Sequence, residues 1–413
     1  VIFIASELLI PESMQKEITL LDMPLPTLDE IKAKLDKMVS QNNQIDTSAL
    51  DEEGKEKLCK AALGLTLQEA ENAFALAMVN DGSIDGKDLT VILSEKMQVI
   101  KKTGILEFIN TDIKVTDVGG LENLKNWLNK RNNSWSESAK KYCLPAPKGV
   151  LITGVPGCGK SLTAKAMSAA WQLPLLKLDF GKIFSGIVGS SEENMRKAIK
   201  TAEAVAPSIL WVDEIEKSLS GINSNGDSGT SSRIFGTFLT WMQEKTAPVF
   251  VIATANNISG LPAELLRKGR FDEIFFVDLP TLRERKEIFK LHLAKRLKDK
   301  DVASKIEVND ELYEKLASMT EGFVGAEIEQ VVITALYEAF FNKRPLEFSD
   351  IENTIRNVVP LSVTQKEQIL SLRQWANIRA VAATKKDDME HYSTSSDSEN
   401  DVNTSRGGRA LDV

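Results

Sequence analysis

Gly149-Val150-Leu151-Ile152-Thr153 runs directly into Gly154-Val155-Pro156-Gly157-Cys158-Gly159-Lys160-Ser161, and a helical stretch from Leu162 to Trp171 follows. A short apolar run, a glycine-rich turn and a helix in that order specify a phosphate-binding loop. The glycines let successive backbone N–H groups converge on an anion, and the helix presents its positive end to the same point. Lys160 can reach the β and γ phosphates, and Ser161 can supply an oxygen to Mg²⁺. The expected cradle is therefore Gly154, Val155, Pro156, Gly157, Cys158, Gly159, Lys160, Ser161 and Leu162, with ATP and Mg²⁺ as its ligands. Cys158 reads as a small residue filling a variable position of the loop, with a redox brake as the alternative.

Four more strand-like runs lie at Leu175 to Leu178, Ser208 to Val212, Val249 to Ala253 and Glu273 to Val277, separated by amphipathic helical stretches. Near-continuous apolar strands alternating with helices are what a parallel sheet covered on both faces requires. The expectation is a doubly wound α/β domain over residues 117–280. The run Ile209-Leu210-Trp211-Val212 ends in Asp213-Glu214, two carboxylates at the carboxyl edge of a strand, where ligands of open α/β sheets collect. Asp213 is expected to hold Mg²⁺ through water and Glu214 to polarise the water that attacks the γ-phosphate.

After Pro280 the strand signal stops. Thr281-x-x-Glu284 is a capping box opening a helical stretch to Lys295, so residues 281–384 are expected to form a helical lid and C-terminal helices. Residues 385–413 are rich in Ser, Asp, Asn and Gly and are expected to be a disordered polar tail. Residues 1–102 partly repeat the later chain. Val1 to Ser6 parallels Phe250 to Ala255, Glu17 to Pro24 parallels Glu273 to Pro280, Thr27-x-x-Glu30 parallels Thr281-x-x-Glu284, and Glu69 to Ala73 resembles Glu327 to Val331. Matching order and spacing imply a partial, degenerate second module without a phosphate loop, joined by a linker at 103–116. Val1-Ile2-Phe3-Ile4 reads as a strand already under way, so the chain is expected to begin inside a domain.

The 413 residues carry a net charge of -8, which argues against a surface built for nucleic acid phosphates. Three widely spaced cysteines, Cys59, Cys143 and Cys158, and apolar runs too short to span a bilayer point to a reducing compartment away from the membrane.

Taken together these motifs resemble the classical AAA ATPases of the AAA+ superfamily. The resemblance extends from the opening motif Asp117-Val118-Gly119-Gly120-Leu121, through Leu265-Leu266-Arg267-Lys268-Gly269-Arg270-Phe271-Asp272, to about Leu336. It implies an AAA+ P-loop fold with a C-terminal helical lid. It further implies that Asn256 is the polar sensor, that Arg267 and Arg270 are arginine fingers offered to a neighbouring subunit, and that Gly120, Gly325 and Ala326 border the nucleotide. A homo-oligomeric ring, likened to the hexamers of the family, and a protein client follow from the same likeness. The stretch Gly226 to Arg233, continuing through Phe238 to Glu244, is similar to a subfamily first known as a hypothetical plastid open reading frame, which pairs a degenerate N-terminal module with an intact C-terminal one. That likeness implies a bacterial cytoplasm or a plastid stroma. The family's pore loop corresponds to Ile187-Val188-Gly189, where Ile187 replaces the usual aromatic and offers less rigid contact area. The Gly/Ser-rich stretch Ser220 to Ser232 is expected as a loop that lines the same pore or serves as a flexible connector. Two functions remain in competition: ATP-driven remodelling of a protein partner, and a nucleotide-switched assembly module with slow turnover. A nucleic-acid-associated ATPase is the weaker third.

Overall fold

The computed structural model describes residues 21–385 except 22–24, 43–44, 49, 111–112, 133, 136–138, 140, 185–189, 218–227 and 259. The expected strands before Asp22, the pore-loop residues Ile187, Val188 and Gly189, most of the expected loop from Ser220 to Ser232, and the polar tail beyond Lys385 lie outside the described residues. The chain divides into two compact units at Lys96 and Met97.

The first unit is helical: α1 (Leu28–Gln41), α2 (Glu52–Ala62), α3 (Leu67–Asp81) and the start of α4 (Leu89–Thr103). Each of the first three helices begins at a residue able to accept from its own backbone, Thr27, Asp51 and Thr66. Ile31, Leu35, Leu58, Ala70, Phe74 and Ile92 are fully buried between them.

In the second unit a seven-stranded sheet runs in the order β1-β3-β4-β5-β2-β6-β7. Its strands are β1 (Leu106–Ile109), β2 (Gly149–Gly154), β3 (Leu175–Leu178), β4 (Ser208–Val212), β5 (Val249–Ala255), β6 (Glu273–Val277) and β7 (Val381–Ala382). The sheet is parallel except for β1, which pairs antiparallel with β3. Successive side chains alternate between two cores, as strand geometry requires. Ile209 and Trp211 of β4 join the core under α5 (Glu122–Asn129) and α6 (Lys160–Trp171). Leu210 and Val212 join the opposite core, under α7 (Phe180–Phe184), α8 (Ser190–Ala204) and α9 (Ser228–Glu244).

The lid comprises α10 (Leu282–Arg296), α11 (Asp310–Met319), α12 (Gly325–Phe341) and α13 (Phe348–Asn357), with its own core around Phe289, Leu316, Val331 and Ile351. Then α14 (Leu361–Thr364) and α15 (Lys366–Arg379) return to the sheet. Leu372 and Ala376 of α15 belong to the core that holds α9, and β7 extends the sheet beyond β6. A buried ion pair, Arg373 Nη2 to Asp278 Oδ1 at 2.9 Å, fixes this return.

Three differences from the sequence reading follow. Residues 103–116 hold the edge strand β1 as well as connecting chain, because Leu106-Glu107-Phe108-Ile109 is too short a run to stand out. The chain after Lys366 packs on the α/β body rather than in the lid. The stretch expected as loop to Ser232 is helical from Ser228.

Candidate functional site

The loop from Gly154 to Ser161 leaves the carboxyl end of β2, in the middle of the sheet between β5 and β6. Gly154 and Gly157 have φ of 137° and 75°, a region that only glycine enters freely. A side chain at 154 would strike the Val277 carbonyl at 2.0 Å, so this position must be glycine for the loop to lie on β6. Lys160 is buried under the loop and donates to the carbonyls of Gly154 and Val155 at 2.9 and 2.7 Å. Burial lowers its pKa to about 8, opposed by the neighbouring Cys158, Glu216, Glu214 and Asp213. An amine at this position keeps most of its charge at neutral pH and has carbonyl contacts that a phosphate can replace.

Across from the loop, the end of β4 and the end of β5 are cross-tied. Ser161 Oγ donates to Asp213 Oδ1 at 2.8 Å, and Thr254 Oγ1 donates to the same oxygen at 2.7 Å. The Thr254 hydroxyl also accepts from the Glu214 amide at 3.0 Å. Glu214 has φ of 48°, uncommon for a residue with a side chain and of the kind that recurs at functional sites. Asn256 Nδ2 donates to Glu214 Oε1 at 2.8 Å, while Lys217 Nζ lies 2.5 Å from Glu214 Oε2. That contact raises the pKa of Lys217. The hard oxygens of Ser161 and Asp213 lie side by side, a donor set suited to Mg²⁺ completed by phosphate and water.

The lid reaches the loop at its other side. Ala326 N donates to Gly157 O at 3.0 Å, and a side chain at Gly157 would meet Val324 Cγ2 at 3.0 Å. Two helix N-termini, those of α6 and α12, therefore converge near Gly157. The opening motif closes the same side: Gly120 N donates to Glu287 Oε2 at 3.1 Å and Leu121 N to Glu284 Oε1 at 3.2 Å. Glu284, expected only to cap its helix, is buried and also accepts from Thr384 Oγ1 at 3.0 Å.

A profile of the AAA family, ATPases associated with various cellular activities, matches residues 150–279, and a profile of the AAA+ lid domain matches residues 310–353. The chain is 45% identical over 384 residues to the AAA domain-containing protein ycf46 of Trieres chinensis, covering 91% of this chain and 74% of that protein. This chain belongs to the AAA ATPase family. The ycf46 protein of Pyropia yezoensis is equally similar, at 45% over 376 residues with the same coverage of both chains. The proteasome-activating nucleotidase of Sulfurisphaera tokodaii is 31% identical over 286 residues, 66% of this chain and 69% of that one. A crystal structure of the FIGL-1 AAA domain shares the fold, with a TM-score of 0.56 at 21% identity over 69% of this chain and 96% of that chain. Residues 29–103 match the profile of the second domain of SpoVK-like AAA ATPases.

Within this AAA ATPase, Lys160, Ser161, Asp213, Glu214 and Asn256 are brought together, as are the loop, Gly325 and Ala326. Gly120 stands against the lid helix α10. The arginines are placed elsewhere. Asp272 accepts from the amides of Lys148 and Gly149 at 2.8 and 3.0 Å, which puts the Arg270 turn at the amino end of β2. The phosphate loop lies at the other end of that strand, about 17 Å away for six residues. Arg270 donates to Glu264 O, and Arg267 is exposed with Glu264 as its partner at 3.8 Å. Cys158 is half-buried beside Val155, Leu279 and Val324, and burial pushes its thiol pKa up to about 12, which disfavours the thiolate. Sequence reasoning missed Thr254, Glu216 and Glu284 at this site. Thr254 stands two residues before Asn256 at the end of an apolar strand, the one local signal available.

Among the described residues no helix is long and apolar enough to cross a membrane.

Proposed function

We propose that this chain hydrolyses ATP with Mg²⁺ and couples the cycle to remodelling of a protein partner in a homo-oligomeric, hexamer-like ring. The network Ser161–Asp213–Thr254 with Asn256–Glu214 carries this reading, because it sets a metal-side oxygen pair and a water-side carboxylate on adjacent strand ends facing the loop. Lys160 exchanges its loop carbonyls for phosphate oxygens. The amides of residues 157 to 162 would take the remaining phosphate charge, since Val155 N is given to Val277 O and Pro156 has no N–H, and Ser161 and, through water, Asp213 would hold the metal. When bound there, Mg²⁺ would supply charge neutralisation to the phosphates. Glu214, oriented by Asn256, accepts a proton from the attacking water. Arg267 and Arg270, remote from their own loop and on an exposed turn, act on a neighbouring subunit's ATP. The contact of Ala326 with Gly157 gives the lid a direct sense of loop occupancy. Gly120 borders the nucleotide from the opening motif, and Ile187, Val188 and Gly189 line the pore. The helical unit up to Lys96 is the back half of a degenerate second module. The working compartment is a bacterial cytoplasm or a plastid stroma.

Steady-state ATPase assays with sedimentation test this reading. Glu214→Gln is expected to lose at least 100-fold in kcat and to retain nucleotide binding. Arg267→Ala is expected to lose turnover and to be rescued in mixtures with Glu214→Gln subunits. A Glu214→Gln chain that hydrolyses like the parent overturns the assignment.

One observation favours a slow nucleotide switch: Lys217 already engages the second oxygen of Glu214. The pair is largely exposed on the lysine side, so solvent screens it and it holds Glu214 only weakly. Lys217→Ala is expected to raise kcat up to about fivefold if this pair brakes turnover, and to leave it unchanged otherwise.

A further inference from the structure

Glu216 lies two residues beyond Glu214, with 9% of its surface exposed. Its carboxylate faces the end of β5. Oε1 accepts from the Asn256 amide at 2.8 Å and from the Asn257 amide at 3.3 Å. These amides follow Ala255, the last residue of β5, where the sheet ladder stops supplying partners. A part-buried backbone N–H that loses its acceptor has to find another, so Glu216 helps to hold the chain at 256 in place. The other oxygen, Oε2, is buried and has no hydrogen-bond partner among the described residues.

We infer that Glu216 is the positioning residue of this site: by gripping the Asn256 backbone it aims the Asn256 side chain at Glu214. The inference rests on the ATPase reading proposed above. Glu214 is held from two directions. Thr254 fixes its backbone through the hydroxyl that also binds Asp213, and Asn256 fixes its carboxylate. The first tie is contained in β5 itself. The second depends on a residue just past the strand end, and Glu216 supplies the rigidity that the ladder no longer gives. Ile215 lies between the two acids and is itself tied across, its amide donating to Thr254 O at 3.0 Å. Glu214 and Glu216 are thereby carried on one short turn locked to β5, one facing the phosphate side and the other the sensor backbone.

The unpartnered Oε2 makes the role separable from charge. Glutamine at 216 keeps an acceptor for both amides and loses no hydrogen bond at the second position. Alanine removes the acceptor.

The test compares Glu216→Ala, Glu216→Gln, Asn256→Ala and the double variant Glu216→Ala/Asn256→Ala in the full chain with Mg-ATP. Glu216→Ala is expected to lower kcat at least tenfold with KM for ATP within threefold of the parent, and Glu216→Gln to recover most of that loss. The double variant is expected to be no slower than Asn256→Ala alone, since the two residues act in series. Three outcomes overturn the inference: Glu216→Gln as slow as Glu216→Ala, losses that multiply in the double variant, or Glu216→Ala turning over like the parent while Asn256→Ala is slow. Amide hydrogen exchange over residues 250–262 of the nucleotide-free chain is independent of turnover. Faster exchange at 256 and 257 in Glu216→Ala, restored in Glu216→Gln, supports the grip even in a chain without ATPase activity; unchanged exchange overturns it. A parent that hydrolyses no faster than Glu214→Gln, with the exchange effect intact, refutes the ATPase reading and leaves the grip standing.

Discussion

The first helix of the N-terminal unit and the first helix of the lid begin with the same pair of residues and put them to different uses. Thr27 and Glu30 at the start of α1 correspond to Thr281 and Glu284 at the start of α10, and both pairs form reciprocal capping boxes. Ile84 N donates to Asp46 O at 3.1 Å in the first unit, as Leu346 N donates to Val302 O at 3.0 Å in the lid. Each tie precedes a turn closed by a buried aspartate, Asp88 or Asp350. Burial raises the pKa of Asp88, whereas the Arg344 guanidinium lowers that of Asp350. Glu30 caps its helix at the surface, while Glu284 is buried and also receives Leu121 N and the Thr384 hydroxyl. Thr66 closes the N-terminus of α3 with its own side chain. Val324, at the matching start of α12, has no side-chain acceptor, and Ala326 N is given instead to Gly157 O. The first unit caps α1 to α3 locally; the lid caps α10 and α11 locally too, but ties the starts of α10 and α12 to the opening motif and the phosphate loop as well. A shared local pattern thus marks common architecture, and the partner of each helix end separates a self-contained bundle from one wired to a nucleotide site.

Glu284→Ala and Glu30→Ala put that contrast to its strongest test. The lid variant strands a buried amide and a buried hydroxyl as well as a cap, so its expected cost is about 3 kcal/mol in urea unfolding, against about 1 kcal/mol or less for the exposed box. Equal costs would break the comparison. Both units hold amines whose pKa burial lowers; beside Lys245, also at about 8, these are Lys96, at about 7, which donates to Ala61 O, and Lys160, at about 8, which donates to the loop. Both folded values lie below the unfolded value near 10.5, so the unfolded chain holds more protons in between. Stability therefore rises with pH, from about 7 for Lys96 and about 8 for Lys160, up to about 10.5. Lys96→Met is expected to remove about 2 kcal/mol of the gain between pH 7 and 9. Saturating Mg-ATP should suppress the Lys160 contribution by pairing its charge and leave the Lys96 contribution intact.

Gly157→Ala sharpens the loop side of the comparison. With φ of 75° and Val324 against the new methyl, it is expected to cost about 1–2 kcal/mol of nucleotide binding energy, a roughly tenfold weaker Kd by fluorescent-nucleotide titration. The smallest effect concerns thiols. Burial pushes Cys59 up to about 11 and Cys158 up to about 12, and Cys143 is exposed. Native-state labelling with a thiol reagent is expected to modify Cys143 fast and the other two slowly; rapid labelling of Cys158 would mean that the Val324 contact opens spontaneously.

The central sheet was legible because five strands are apolar runs: β3, β4 and β6 match the reading at both ends, and β2 and β5 run one and two residues further at the carboxyl end. β1 and β7 escaped because strands of four and two residues at the sheet edges carry no period of their own. The phosphate loop and the Asp213-Glu214 pair were legible because their residues are contiguous. Thr254, Glu216 and Glu284 were not, since each matters through a partner about 40 or more residues away. The return of α15 was hidden for the same reason: Arg373 reads as surface charge until Asp278 is placed beside it.

β7 lies against β6, and Asn123 clamps it by donating to Ala382 O and Thr384 O. It is made about a hundred residues after β6. During synthesis, the far side of β6 must therefore wait, through translation of the whole lid, with its ladder groups unmatched. An unpaired sheet edge is a template for joining another chain. The last short strand then acts as a stopper, and premature termination ahead of it should yield aggregates rather than a slightly shorter enzyme.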